Sequence, residues 1–366
     1  MKVIDIFYVR FLTEDGSKLS IGGIQTYISN LIKLAEKMDF GVRIFQFSSA
    51  YFERKYENAI VFGVKRGRNS NFTKLYKYAL SKRDEGNNYI NIIANDSLIP
   101  RWKVPNSIVI QHGIGFDDNN NSRLPFFLTF LHRMYNSYKR VKRIQNVDQV
   151  VCVDNNYICW YRTQTPCRNV RMTPILNFTS LPDVDRAVRN DAIVRIVFAR
   201  RFVQIRGTRL FGPVAKRLLE TYKNIEIVFA GEGPEKHYLT NLFKNEKRVS
   251  FTSYNPSESI HFHQQFDIAV VPTIYSEGTS LSLLEAMSAG CAVVCTNVGG
   301  MTNIILDGFN GLMINPSQDD LYDALSKMIE DEKFRKRLSD NAQHTIRDCF
   351  SLQKWQESWK RIIKQV

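Results

Sequence analysis

Within Y-S-E-G-T-S-L-S-L-L-E-A-M-S-A-G, which runs from Tyr275 to Gly290, two carboxylates stand eight residues apart. Glu277 falls in a loop; Glu285 falls inside an apolar helical pattern, beside Leu283, Leu284 and Met287. A carboxylate buried there without partners is strongly destabilising, so Glu285 needs donors. The two hydroxyls of a ribose suit an ionised carboxylate, which can only accept. An arginine partner, or a place at the solvent edge of the helix, would serve as well. Ser280 is placed to cap this helix and Gly290 to end it. The amides of Thr279, Ser280 and Leu281 would then cradle a phosphate with the helix dipole behind them, and Gly278 lets a ligand approach closely.

Four further turns have the chemistry of a binding site. F-A-R-R-F-V-Q-I-R-G (Phe198 to Gly207) offers Arg201 and Arg206, which could clamp a diphosphate and offset Glu277, or sit on the surface as ordinary cations. A-G-E-G-P (Ala230 to Pro234) holds Gly231 and Gly233 in a tight turn, with or without a ligand against it. I-G-G-I-Q-T-Y sets Gly22 and Gly23 before a helix, a second group of backbone donors. V-I-Q-H-G-I-G-F-D puts His112 at a strand's carboxyl end, where open α/β sheets bind ligands, although a lone histidine is commonly structural. No group of residues has metal-ligand spacing, and D-D-N at Asp117 to Asn119 reads as a solvated loop.

The elements that must position these turns follow from periodicity. V-I-D-I-F-Y-V, V-R-I-F-Q-F, I-N-I-I-A, S-I-V-I-Q and Q-V-V-C-V alternate with helical patterns, which predicts a parallel sheet flanked by helices. After the connector Asn177 to Arg186 the alternation restarts with I-V-R-I-V-F-A, I-E-I-V-F-A, R-V-S-F, D-I-A-V-V-P, C-A-V-V-C and G-L-M-I. The expected fold is α/β, two doubly wound Rossmann-like domains facing a cleft. The boundaries are 1–180, 181–345, and a closing helix over 346–366, whose Trp355, Trp359 and Ile362 lie at helical spacing and pack back across the domain junction.

A chain of 366 residues suits two domains, and 44% hydrophobic with 23% charged residues is the composition of a folded protein. The net charge is +14, and it is concentrated: the first 180 residues hold 26 of the 50 Lys+Arg but 14 of the 36 Asp+Glu. Cations interleave with aromatics over Lys65 to Arg83 and over Phe126 to Arg143, where Phe126, Phe127, Phe130 and Tyr135 lie. Such segments suit an anionic surface, either phospholipid or nucleic acid, or form a solvated face over core aromatics. The six cysteines form no C-x-x-C pair and read as buried thiols in a reducing compartment. The first strand carries Asp5 and does not read as a signal peptide, and no run of about 18 apolar residues occurs, so a cytoplasmic protein is expected.

Taken in order, the five turns resemble the retaining glycosyltransferases of family 4, which have the GT-B fold. The likeness covers nearly the whole chain and is strongest in E-G-T-S-L-S-L-L-E-A-M-S-A-G, followed by V-V-C-T-N-V-G-G and D-G-F-N-G-L-M. It implies a donor nucleotide-sugar site in which Glu285 holds the ribose and Glu277 stands at the sugar and reaction centre. Arg201 and Arg206 bind the diphosphate, Gly23 meets the phosphate through its amide, and His112 lies near the outer sugar hydroxyls. Catalytic roles are thereby implied for Glu277, His112, Arg201 and Arg206. Arg200, Ala292 and Ser253 depart from the usual glycine, proline and glycine. Backbone groups around Gly231 to Pro234 and Ser253 to Asn255, Tyr254 among them, are expected to read the base.

The resulting expectation is a retaining hexosyltransferase using a nucleoside-diphosphate sugar, UDP ahead of GDP. It needs no metal and no cofactor, because cations, amides and a helix N-terminus supply the leaving-group stabilisation. The acceptor would be a glycan or a lipid-linked saccharide of a bacterial surface polysaccharide, met at the anionic inner membrane. A nucleic-acid-binding protein is the rival from another class; the carboxylates of the site would repel a phosphate backbone and no such motif is present. A nucleotide-dependent oxidoreductase lacks its G-x-G-x-x-G after the first strand. A catalytically dead binding homologue would be expected to lose the charged residues that this chain keeps.

Overall fold

The computed structural model describes the chain apart from Met1, Ile21, residues 68–70, 114–125 and 165–169, Asp185, Val188, Asn190 and Ser276, together with the side chain of Phe126. The D-D-N loop, Cys167 and part of the connector therefore lie outside the described residues. The chain divides into two units. The first comprises the described residues of 2–112, 126–175 and 356–366, and the second Gly113 with those of 176–355.

The strands of the first unit are β1 (Lys2–Phe7), β2 (Gly41–Ser48), β3 (Phe52–Tyr56), β4 (Ala59–Lys65), β5 (Asn88–Ile93), β6 (Ser107–Gln111), β7 (Gln149–Cys152) and β8 (Arg171–Pro174). Its helices are α1 (Gly23–Glu36), α2 (Phe72–Leu80), α3 (Phe126–Ile144) and α4 (Asn155–Gln164). The sheet order is β3-β4-β2-β1-β5-β6-β7-β8. All neighbours pair in parallel except β3 with β4. That hairpin corrects the purely parallel reading. Glu57 turns it in the left-handed conformation (φ 48°), and F-E-R-K-Y leaves its charges at the sheet edge, where they oppose further pairing. β3, β4 and β8 were not anticipated: β3 is charged and β8 short, whereas β4 is an apolar run, A-I-V-F-G-V-K, that the reading of alternating strands and helices passed over.

The second unit has β9 (Val194–Ala199), β10 (Ile225–Ala230), β11 (Val249–Thr252), β12 (Ile268–Val271), β13 (Ala292–Thr296) and β14 (Leu312–Ile314), all parallel, in the order β11-β10-β9-β12-β13-β14. Its helices are α5 (Thr208–Thr221), α6 (Lys236–Leu242), α7 (Ser259–His263), α8 (Leu281–Ser288), α9 (Gln318–Glu330) and α10 (Glu332–Cys349), and α11 (Leu352–Ile363) closes the chain. Successive strand residues point to opposite faces, and both faces are covered. Ile196, Phe198, Ile227, Phe229 and Val270 pack with α5, α6 and α9. Val197, Ala199, Val271, Val293 and Cys295 pack with α8 and α10. This is why the strands are apolar without alternation.

The strand order reverses between β9 and β12. In an open parallel sheet the loops leaving two such strands diverge to opposite faces and leave a crevice at their carboxyl ends. At the chain's end, residues 356–366 group with the first unit, where the fully buried Trp359 donates its indole N–H to Tyr27 Oη at 2.7 Å. Cys152, Cys291 and Cys295 are buried thiols as expected, whereas Cys159 and Cys349 are exposed, which corrects the reading that all are buried.

Candidate functional site

The turns that leave β9 and β12 meet at Glu277. Its side chain is 11% exposed, and both of its oxygens accept from Arg200 Nη2, at 2.7 and 2.9 Å. Thr273 Oγ1 donates to Oε2 at 2.6 Å, and Arg206 Nη1 lies 2.7 Å from the same oxygen. That last contact is an ion pair whose N–H is not aimed along a hydrogen bond. Burial pushes the Glu277 carboxyl up, but the Arg200 and Arg206 guanidiniums push it down further, so it stays ionised below the usual carboxylate value. Arg206 is lowered by burial against the pull of Glu277, with Arg200 and Arg201 as repelling cations close by. Arg201 is exposed and makes no ion pair among the described residues.

Glycines set how closely the neighbouring turns approach. A Cβ on Gly233 would stand 2.3 Å from the Phe202 carbonyl oxygen, and one on Gly231 2.2 Å from that of Arg200, so the A-G-E-G-P turn lies directly on the arginine turn. Gly299 (φ 56°) would place a Cβ 2.0 Å from the Glu277 carbonyl oxygen, and the Gly300 amide donates to that oxygen at 2.8 Å. The V-G-G turn after β13 thus supports the Glu277 loop from behind. From the connector, Asn177 Nδ2 donates to the Thr279 carbonyl at 2.7 Å.

Gly278 lies between Glu277 and the start of α8, whose first helical residue is Leu281. Ser280 holds the N-cap position, but its hydroxyl makes no capping hydrogen bond and pairs with Ser282 Oγ at 3.3 Å. The expected cap is therefore positional only. Gly290 ends the helix in the left-handed conformation (φ 82°). Glu285 is mostly buried and makes no ion pair among the described residues. Ser259 Oγ donates to its Oε2 at 2.7 Å. Burial pushes the Glu285 carboxyl up to about 7, with the Ser259 hydrogen bond opposing. The arginine partner allowed by the sequence is not there. Tyr254 stacks on Phe262 with ring centroids 4.3 Å apart, and burial and then the charge of Glu285 raise its phenol to about 12.

Three of the sequence-derived residues belong to the first unit. Gly22 is the N-cap residue of α1 and Gly23 its first residue, so only Gly22 precedes the helix. His112 follows β6, and its Nε2 lies 3.0 Å from the Ala94 carbonyl oxygen. A carbonyl only accepts, so Nε2 carries the proton. Burial lowers His112 to about 4, against that hydrogen bond, and the ring is neutral at pH 7. It packs edge-on against Tyr27 of α1, with centroids 5.6 Å apart, which joins the two turns of this unit. Among the described residues no three His, Cys, Asp or Glu side chains cluster as a metal site.

Four polar partners were missed: Arg200, Thr273, Ser259 and Asn177. Arg200 and Thr273 had a signal, since each follows a strand beside the reversal of strand order. Ser259 and Asn177 had none, because only the fold brings them to Glu285 and Thr279.

A six-stranded parallel sheet with a crevice of this kind, and a second parallel-sheet α/β unit in the same chain, are the two α/β units of the GT-B fold. Residues 187–345 match the family model described as glycosyl transferases group 1, so the chain carries a glycosyltransferase group 1 domain and is a transferase. An uncharacterized glycosyltransferase of Methanocaldococcus jannaschii is 24% identical over 339 residues, covering 88% of each chain. Among solved structures, Anabaena HepE in complex with UDP superposes with a TM-score of 0.73 at 14% identity over 100% of both chains. WaaG, a glycosyltransferase involved in lipopolysaccharide biosynthesis, gives 0.71 at 16% identity over 98% of this chain and 99% of its own. At such identities the structural likeness establishes the shared fold.

Proposed function

We propose that the chain is a retaining hexosyltransferase that moves a sugar from a nucleoside-diphosphate sugar, UDP ahead of GDP, to a glycan or lipid-linked acceptor of a surface polysaccharide. The observation that carries the reading is Glu285, a mostly buried carboxylate with one hydroxyl donor and no cation among the described residues, on the helix that follows the Glu277 loop. Such a group is destabilised until further donors arrive, and the ribose of a nucleotide offers two hydroxyls. Arg201 and Arg206 then face the diphosphate with the α8 amides, and Gly231, Gly233 and Tyr254 border the base. As the glycosidic bond to phosphate lengthens, negative charge develops on the diphosphate and these cations and dipoles stabilise it without a metal. The acceptor hydroxyl attacks from the side the leaving group departs, the phosphate takes its proton, and Glu277 orients the sugar. HepE was solved with UDP, which agrees with this donor.

The acceptor side rests on α3, which carries no acidic residue and presents Phe127, Phe130, Met134, Tyr135 and Tyr138 to solvent, 51–65% exposed. An acid-free helix with that apolar stripe fits peripheral docking on an anionic membrane from the cytoplasm. No described helix is long and apolar enough to cross a membrane. The donor reading is tested by a thermal-shift series with UDP, GDP and their sugars, with and without EDTA. A nucleotide at about 100 times its Kd stabilises by about 2.7 kcal/mol. The expected result is a shift with UDP that EDTA leaves intact. No shift with any nucleotide refutes the donor site; a shift that EDTA removes refutes metal independence.

A further inference from the structure

We propose that Arg200 is the positioning residue of the sugar site: it clamps Glu277 so that one acceptor direction, at Oε1, remains for a hydroxyl of the transferred sugar. The inference rests on the donor reading above. The Arg200 side chain is 5% exposed, against 30% for Arg206. Its Nη2 reaches both carboxylate oxygens and its Nη1 donates to Thr273 Oγ1. That hydroxyl in turn donates a hydrogen bond to Glu277 Oε2.

Counting donors decides the geometry. Among the described residues, Oε2 is approached by Arg200, Thr273 and Arg206, and Oε1 by Arg200 alone. Each carboxylate oxygen accepts about two hydrogen bonds. Oε2 is therefore filled and Oε1 keeps one place. The backbone makes the clamp stiff. Arg200 directly follows β9, its amide donates to the Ala230 carbonyl at 3.0 Å, and its own carbonyl lies so close to Gly231 that a Cβ there would stand 2.2 Å from it. A lysine here would retain the charge but not the fork that holds Thr273 through Nη1 and Glu277 through Nη2. Arg200 thus differs in role from Arg201, which is exposed and unpaired by any carboxylate among the described residues.

Two measurements on the full chain test this. The first reads the clamp without ligand, as a thermal-denaturation cycle of wild type, R200A, E277Q and the double variant at pH 8. Removing Arg200 strands a buried carboxylate, so R200A lowers the Tm in the wild-type background and lowers it less, or raises it, with E277Q. Additive effects within about 1 °C overturn the clamp. The second reads positioning, by calorimetry with UDP and with the sugar nucleotide that wild type binds in the thermal-shift series. R200A is expected to weaken the sugar nucleotide at least tenfold and UDP less than threefold, and R200K to recover the Tm but not the sugar-nucleotide affinity. Equal weakening of both ligands makes Arg200 a diphosphate ligand and overturns the positioning role, as does no weakening of either. Wild type binding no nucleotide at all sinks the donor reading instead, and the denaturation cycle still decides the clamp.

Discussion

Replacing Glu285 by glutamine should make the nucleotide-free protein more stable and a worse nucleotide binder. In the folded protein burial moves this carboxyl from 4.5 to about 7. At about 1.4 kcal/mol per pH unit, that difference destabilises the native state by up to about 3 kcal/mol once the pH exceeds both values. The sign follows from proton uptake. The group is raised in the folded state, so its full contribution is present below pH 4.5, where both states are protonated, and is lost as pH rises to 7. Glutamine keeps the shape and an acceptor for Ser259 but carries no charge to desolvate. Its amide N–H groups still need partners, which reduces the gain to roughly 1–3 kcal/mol. For a domain of this size each kcal/mol moves the midpoint by about 2–4 °C. Thermal denaturation of E285Q and wild type should therefore diverge above pH 7, with E285Q higher by several degrees, and converge near pH 4.5. UDP affinity, read by calorimetry at pH 8, should fall by about 1.5–3 kcal/mol, since hydrogen bonds to a charged acceptor are lost. A pH-independent difference, or unchanged UDP binding, would refute the reasoning.

Arg201→Ala should weaken UDP by about tenfold to hundredfold and leave the Tm within about 1 °C, because the side chain is exposed and has no ion pair among the described residues; Arg206→Ala should lower both, since it also removes an ion pair from Glu277. Calorimetry and denaturation of the two variants separate ligand-binding from structural roles, and a lowered Tm in Arg201→Ala would contradict the assignment. Gly299→Ala should cost about 1–3 kcal/mol and reduce UDP binding, as its Cβ would press on the Glu277 carbonyl in a left-handed turn; a variant as stable as wild type shows that the loop yields. Phe130→Glu with Met134→Glu should abolish sedimentation with anionic liposomes at low salt while leaving UDP binding unchanged. Equal partition of wild type to neutral and anionic vesicles argues against the docking face.

Most of the sheets was legible because parallel strands buried on both faces are written as uninterrupted apolar runs. The six strands of the second unit, from I-V-R-I-V-F-A to G-L-M-I, all form. The edge strand β3 was not, because F-E-R-K-Y is charged and has no hydrophobic run to betray it; its partner β4, A-I-V-F-G-V-K, has such a run and was overlooked. In the site, Glu277, Glu285 and the paired glycines stood out through spacing. Ser259 did not, because its usefulness depends on where α7 passes α8.

The chain's own order of residues settled that carboxylates, arginines and glycines follow strands, since local propensity and period act over a few positions. Which of them touch was settled only by folding. Three adjacent signals, Arg200, Arg201 and Arg206, look alike as text. Packing buried the first against Glu277, set the third beside it and left the second in solvent. Electrostatic strength depends on burial and distance, and neither exists until β9 and β12 lie side by side.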